Sequence, residues 1–217
     1  MRKTPTTIFF DWDGTLCDSA AASLRAFRKS LAEFGIAFSD ARYKAIFTPA
    51  WYRMYEALGL PRERWKQADL GWLRHYREEV PELLPGALQV LEALRERRLD
   101  AGIVTSGTRD RVDRELTRFG LTEVFCAVVC FEDVVEKKPH PEGLEKARAL
   151  AGCRPESCWY VGDTPEDILM GKSAGMFTVG VPSEYLECGR LEECGPDAML
   201  ANIAELPSLL DLHTNGA

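Results

Sequence analysis

Residues 6–15, TTIFFDWDGT, join a β-branched and aromatic run to two carboxylates one residue apart. Residues 6–11, TTIFFD, read as a short buried strand, because the run is β-branched and aromatic and stops at a turn signal. Asp11 and Asp13 stand where that strand ends, and Gly14-Thr15 turns the chain behind them. Like charges crowded at the mouth of a buried strand raise one another's pKa unless a cation lies among them. Asp-Gly is also an ordinary turn signal, so the rest of the chain has to show whether the two acids form a site.

The same form recurs downstream. Residues 99–107 (LDAGIVTSG), 124–130 (VFCAVVC), 157–163 (SCWYVGD) and 176–181 (MFTVGV) are short apolar runs that end in Ser, Gly, Asp or a loop. Helical stripes lie between them. Ala87, Val90, Leu91 and Leu94 follow Pro85-Gly86, and Val112, Leu116 and Phe119 precede Gly120, a helix stop. Leu144, Ala147 and Ala151 form a third stripe. Alternation from residue 85 to about 181 predicts an α/β, Rossmann-like parallel sheet with helices on both faces. Met199-Leu200 is expected to add an edge strand before a C-terminal helix.

Residues 17–84 break the alternation. Leu24, Phe27, Leu31 and Phe34 share one helical face, with Ser19 as its expected cap. Trp51, Met54, Tyr55 and Leu58 give a second stripe, and Trp65, Trp72 and Tyr76 a third. The reading is a helical cap domain over 17–84, inserted into a core formed by 1–16 and 85–217.

The chain has 217 residues, 46% hydrophobic and 28% charged, with a formal net charge of −7. That charge argues against a general nucleic-acid binder, which needs a surplus of Lys and Arg to replace phosphate counterions. No apolar stretch approaches the roughly 18 residues of a membrane span, and MRKTPTTIFFDWDG reads as a first strand, not a signal peptide. The cysteines at 17, 126, 130, 153, 158, 188 and 194 contain no CxxC pair. They read as reduced thiols of a cytoplasmic protein, with Cys126, Cys130 and Cys158 serving as small hydrophobes. No zinc spacing is present.

In an open parallel sheet, ligands bind outside the carboxyl ends of the strands. Read together, those ends offer Asp11 and Asp13, then Thr105, Ser106 and Gly107, then Asp163, with Asp167 one turn later and Lys138 in the intervening loop. DWDGT (11–15), VTSG (104–107), KKP (137–139) and GDTPED (162–167) occur in the order found in haloacid-dehalogenase (HAD) superfamily hydrolases. The chain resembles the phosphoglycolate-phosphatase-like branch of that family, which carries a helical cap after the first motif.

The resemblance implies an Mg²⁺-dependent phosphatase acting on a small phosphorylated metabolite, phosphoglycolate-like or a sugar phosphate. Asp11 would be the nucleophile that forms an aspartyl-phosphate. Asp13 would protonate the leaving oxygen and then activate water, while lending its backbone carbonyl to the metal. Side chains two apart on an extended chain point to the same side, so both acids could address one phosphoryl group. Thr105, Ser106 and the Gly107 amide would bind the phosphoryl oxygens, and Lys138 would balance their charge. The implied metal set is Asp11, Asp13, Asp163 and Asp167. Asp163 would bind directly, and Asp167 through a water or by orienting Lys138.

Trp12 should point away from the site, and His140 reads as a loop residue; the direction of Lys137 stays open. Asp13 argues against dehalogenation, which needs no proton shuttle. Ser23 stands where the family's sugar phosphomutases carry a His, so a mutase is the weaker reading. A non-catalytic ligand-binding protein is the third, disfavoured because every motif residue is present. The cap residues Arg53, Trp51 and Tyr52 are possible substrate anchors, though helix surface or cap core explains them as well. A monomer or homodimer is expected.

Overall fold

The computed structural model describes residues 4–185 and 190–214; Cys188 lies outside them. β1 (Thr7–Phe10) is buried along its whole length because it runs through the middle of a sheet covered on both faces. It pairs in parallel with β4 (Asp100–Val104) on one side and β6 (Cys158–Gly162) on the other. β5 (Ala127–Val129) extends the sheet beyond β4, and β7 (Phe177–Gly180) and β8 (Ala198–Met199) extend it beyond β6. Among the described residues this sheet has six strands in the order β5-β4-β1-β6-β7-β8. The edge strand begins one residue before the expected Met199-Leu200 pair, and Leu200 is buried.

Alternation along the strands sorts the core into two layers. Ile8, Phe10, Trp159 and Val161 face α5 (Ala87–Glu96), α6 (Arg109–Phe119) and α9 (Leu206–Thr214), through Val90, Leu94, Val112, Leu116 and Leu210. Phe9, Cys158 and Tyr160 face α7 (Glu142–Ala151) and α8 (Pro165–Ser173), through Leu144, Ala147 and Met170. Gly120 ends α6 in the left-handed conformation (φ 69°), as its position after the apolar stripe predicts.

β2 (Cys17–Asp18) and β3 (Glu82–Leu83) form a short antiparallel ribbon, which the sequence reading did not include. It brackets the helical insert and ties both of its connections together. Leu84 N also donates to Leu16 O at 2.9 Å. The insert holds α1 (Ala20–Ala32), α2 (Asp40–Ile46), α3 (Trp51–Ala57) and α4 (Trp65–Tyr76). α1 packs against α4. Phe27, Leu31, Tyr43, Met54 and Tyr55 centre an apolar cluster of the insert, which also takes in Tyr185 from the loop after β7.

Ser19 does not cap α1 with its side chain; its hydroxyl is turned toward Asp13, as described below. Cys130 and Cys158 are buried as expected, but Cys126 is exposed. The six described cysteines are all free thiols. Among the described residues, no helix is long and apolar enough to cross a membrane.

Candidate active site

Adjacent strands bring the motifs together. β4, β1 and β6 are neighbours, so the residues that follow their carboxyl ends, Thr105, Asp11 and Asp163, stand side by side. The Asp11 amide extends the ladder by donating to Val161 O (2.9 Å), and the Thr105 amide does the same to Val129 O (3.0 Å). Gly14 turns the chain with a φ of 80°, and a Cβ there would run into the Asp163 carboxylate and Tyr185. Only glycine allows that turn and that close approach together.

Lys138 is buried, and its Nζ donates to Asp11 Oδ1 (2.5 Å) and Asp167 Oδ1 (2.7 Å). Asp167 is fully engaged. Oδ1 also accepts from Tyr160 Oη (2.8 Å), while Oδ2 accepts from the Thr164 amide (3.1 Å) and hydroxyl (2.6 Å). The Asp167 amide donates back to Thr164 Oγ1 at 3.3 Å, closing a capping box at the start of α8. Asp167 thus caps its helix and grips Lys138 with the same side chain. Asp163 Oδ2 accepts from Ser183 Oγ (2.5 Å), whereas its Oδ1 is buried with no hydrogen-bond partner.

Among the described residues, Asp11, Asp163 and Asp167 are the acids that can bring ligand oxygens within 4.8 Å of one another, and all three are buried. Burial drives the Asp11 carboxyl up to about 7 despite Lys138 beside it, with Asp167 and Asp13 adding to the rise. Burial, then Asp11 and Asp167, push Asp163 well above the usual carboxylate range. Three buried carboxylates, two of them sharing one amine and the third with an unpartnered oxygen, suit a hard divalent cation with oxygen ligands.

The Asp13 carboxylate stands outside that cluster, although it lines the same cavity as Asp11. The chain has already turned, with Leu16 N (3.1 Å) and Cys17 N (2.9 Å) donating to Trp12 O. Asp13 Oδ1 accepts from Ser19 Oγ (2.6 Å) and Arg111 Nη1 (2.9 Å), and Oδ2 from Arg111 Nη2 (2.5 Å). Burial alone would raise the Asp13 carboxyl; the Arg111 guanidinium overrides it and holds the carboxyl below its ordinary value. Arg111 also pairs with buried Glu115 (3.2 Å), which accepts from Trp12 Nε1 at 2.7 Å. Trp12 points away from the site as expected, and its indole anchors this buried relay.

The sequence reading missed Arg111, Glu115, Ser183 and Tyr185. The signal available for the first two was their i, i+4 spacing on the face of α6 that carries Val112 and Leu116. The Gly107 amide, expected to face the phosphoryl group, donates to Thr105 Oγ1 instead (3.0 Å). Lys137 turns into its own loop, donating to Phe131 O and Val134 O (2.6 Å each). His140 accepts from the Glu142 amide (3.3 Å) and is a loop residue.

Asp11, Asp13, Lys138, Asp163, Thr105, Ser106 and Gly107 line a single cavity of about 320 Å³. Helices of the insert form its far wall. Trp51 and Tyr52 line it, whereas Arg53 is exposed and does not. Trp51 rests on Phe131 (centroids 4.8 Å apart) and Phe47 on Tyr185 (4.4 Å), and Thr48 Oγ1 donates to Glu166 Oε1 (2.6 Å). The insert therefore sits directly over the strand ends.

This parallel sheet with acids at its strand ends belongs to a known class. Residues 8–181 match the haloacid dehalogenase-like hydrolase family, and the chain is a member of it. Pyrophosphatase PpaX of Anoxybacillus flavithermus is 30% identical over 206 residues, covering 94% of this chain and 96% of that protein. PpaX of Oceanobacillus iheyensis is 26% identical over 208 residues, with 94% and 96% covered. The fold is also that of a predicted phosphoglycolate phosphatase from Haemophilus somnus, with a TM-score of 0.84 at 24% identity and 95% and 98% of the two chains covered.

Proposed function

We propose that the protein is an Mg²⁺-dependent phosphatase that hydrolyses phosphate monoesters through an aspartyl-phosphate on Asp11. The observation that carries this reading is Lys138, buried between Asp11 and Asp167 at the floor of the cavity. It holds Asp11 Oδ1 and leaves Oδ2 to attack.

Asp11 Oδ2 attacks phosphorus, the ester P–O bond breaks, and Asp13 gives a proton to the departing oxygen. Water then attacks phosphorus and passes a proton to Asp13, the bond to Asp11 breaks, and inorganic phosphate leaves. Both carboxylates return to their starting state. Because Gly107 N occupies one lone pair of Thr105 Oγ1, the Thr105 proton is left to donate to a phosphoryl oxygen, beside Ser106. Mg²⁺, held by Asp11 and Asp163 with Asp167 fixing Lys138 nearby, would neutralise phosphoryl charge. Residues 17–84 act as the cap and residues 1–16 and 85–217 as the core. Pyrophosphate, the substrate named for the PpaX relatives, calls for the same phosphoryl chemistry.

The test is hydrolysis of p-nitrophenyl phosphate with Mg²⁺, using Asp11→Asn as the blank, and trapping of a phosphorylated Asp11 by mass spectrometry. Equal rates in the two proteins would refute the reading.

A further inference from the structure

The cavity has two unlike halves. Its floor carries the charges, while the wall contributed by the insert is formed largely by Phe27, Tyr43, Phe47, Trp51, Met54 and Tyr55. Among the described residues of that wall the one charged side chain is Asp69, an acid. Asp69 accepts from Trp51 Nε1 (2.9 Å), Tyr52 Oη (2.8 Å) and Tyr55 Oη (3.0 Å), so its role is to fix the aromatic side chains in place.

The cations lining the cavity among the described residues are Lys138 and Arg111, and both are committed. Lys138 is shared by Asp11 and Asp167, and Arg111 by Asp13 and Glu115. A second anionic group on the substrate, whether a carboxylate or another phosphate, would leave water for a wall of rings and an acid with no counter-charge to meet it. The wall also carries Ser23 and Thr48, but the Thr48 hydroxyl donates to Glu166 and those of Tyr52 and Tyr55 to Asp69, so a sugar would leave several of its hydroxyls short of partners. A flat ring loses nothing there, and gains burial and ring–ring contact.

From this we infer that the substrate is a phosphate monoester of an aromatic alcohol, uncharged apart from its phosphate. The inference rests on the phosphatase reading and gives it a substrate class. It departs from the phosphoglycolate or sugar phosphate that the family resemblance implies, and from the pyrophosphate of the PpaX name. The core binds the phosphoryl group, and the aromatic wall selects what is attached to it.

The test compares alkyl esters of similar leaving ability, so that binding and not leaving-group acidity is read, with pyrophosphate, an anhydride, set beside them. Benzyl phosphate, ethyl phosphate, phosphoglycolate, glucose phosphate and pyrophosphate are assayed with the full chain and Mg²⁺. Benzyl phosphate is expected to exceed each of the others in kcat/KM by about 10–100-fold, the worth of one buried ring. Trp51→Leu should reduce the benzyl-to-ethyl ratio by about 10-fold; Phe47→Leu gives a second reading if the first variant does not fold. Calorimetry of benzylphosphonate against methylphosphonate reads the wall without turnover, and benzylphosphonate should bind tighter by a similar factor, with a more negative heat-capacity change. Phosphoglycolate, glucose phosphate or pyrophosphate turned over as well as benzyl phosphate would overturn the substrate class and leave the phosphatase reading intact. If none of the five is hydrolysed, the phosphatase reading falls. Equal binding of the two phosphonates would then overturn the aromatic wall as well.

Discussion

Arg111 grips Asp13 by two hydrogen bonds, Nη1 to Oδ1 at 2.9 Å and Nη2 to Oδ2 at 2.5 Å, although 98 residues separate them in the chain. The fork joins α6 to the loop that carries the proposed nucleophile. It also favours the charged form of Asp13, the state that accepts a proton from water. In the first half of the proposed reaction Asp13 is the donor, so it has to bind a proton against the pull of this guanidinium.

Removing Arg111 should cost stability, because it strands buried Glu115 and leaves Asp13 without its counter-charge. Arg111→Met is expected to lower the unfolding free energy by about 3–5 kcal/mol, the range for breaking a buried ion pair from one side. Adding Glu115→Gln should recover a large part, since Gln keeps an acceptor for Trp12 Nε1 without the charge. Urea denaturation of the two singles and the double gives the coupling. Strict additivity would show that the pair does not interact.

The two acids of the first motif should separate by function. Asp11→Asn removes the proposed nucleophile and should abolish turnover. Asp13→Asn should lose about 10²–10⁴-fold in kcat, the usual worth of a general acid–base group, while divalent-cation binding survives, because its carboxylate lies outside the cluster of Asp11, Asp163 and Asp167. Wild-type kcat in either variant would contradict the assigned roles.

Metal binding should depend more on Asp163 than on Asp167. Asp163 keeps Oδ1 unpartnered, whereas both oxygens of Asp167 are engaged by Lys138, Tyr160 and Thr164. Titration of Mg²⁺ should show a larger loss of affinity in Asp163→Asn than in Asp167→Asn. EDTA should remove activity, and Ca²⁺ should inhibit, since it takes more ligands at longer distances than Mg²⁺. Full activity in EDTA would exclude the metal.

Glu142 staples the loop that leads to Lys138. Its carboxylate pairs with Lys146 (2.7 Å) and accepts from the Val135 (3.1 Å) and Glu136 (2.7 Å) amides. The Lys146 bond, then the Glu136 and Val135 amides, hold Glu142 down at about 2 against an ordinary 4.5. The folded value is the depressed one, so the staple is at full strength above the unfolded pKa and is lost as pH falls through the folded pKa. The Val135 and Glu136 amide proton shifts should therefore titrate with an inflection near 2. An inflection near 4.5 would mean that the staple does not hold in solution.

The core strands and the motif residues at their carboxyl ends were legible in the sequence, because local chemistry fixes them. Runs such as TIFF and CWYVG have no polar face, so they must be covered on both sides. Asp11, Thr105 and Asp163 follow such runs, and neighbouring parallel strands leave little freedom in where those side chains arrive.

Partners far apart in the chain were not legible. Arg111 lies in RDRVDRELTRF, where charged residues ordinarily mean a solvated helix, and only the packing of Val112 and Leu116 against the sheet turns it inward. Ser19 reads as a helix cap by type and place, yet a neighbouring carboxylate takes its hydroxyl. The turn at Trp12–Leu16 sends Asp13 to that Arg and Ser, which strand periodicity alone could not foresee. The aromatic wall over the site was present as stripes in the insert, but the same stripes could equally have been its core. Which rings face the cavity is set by how α1–α4 seat on the strand ends, a matter of side-chain packing between segments that the sequence keeps far apart.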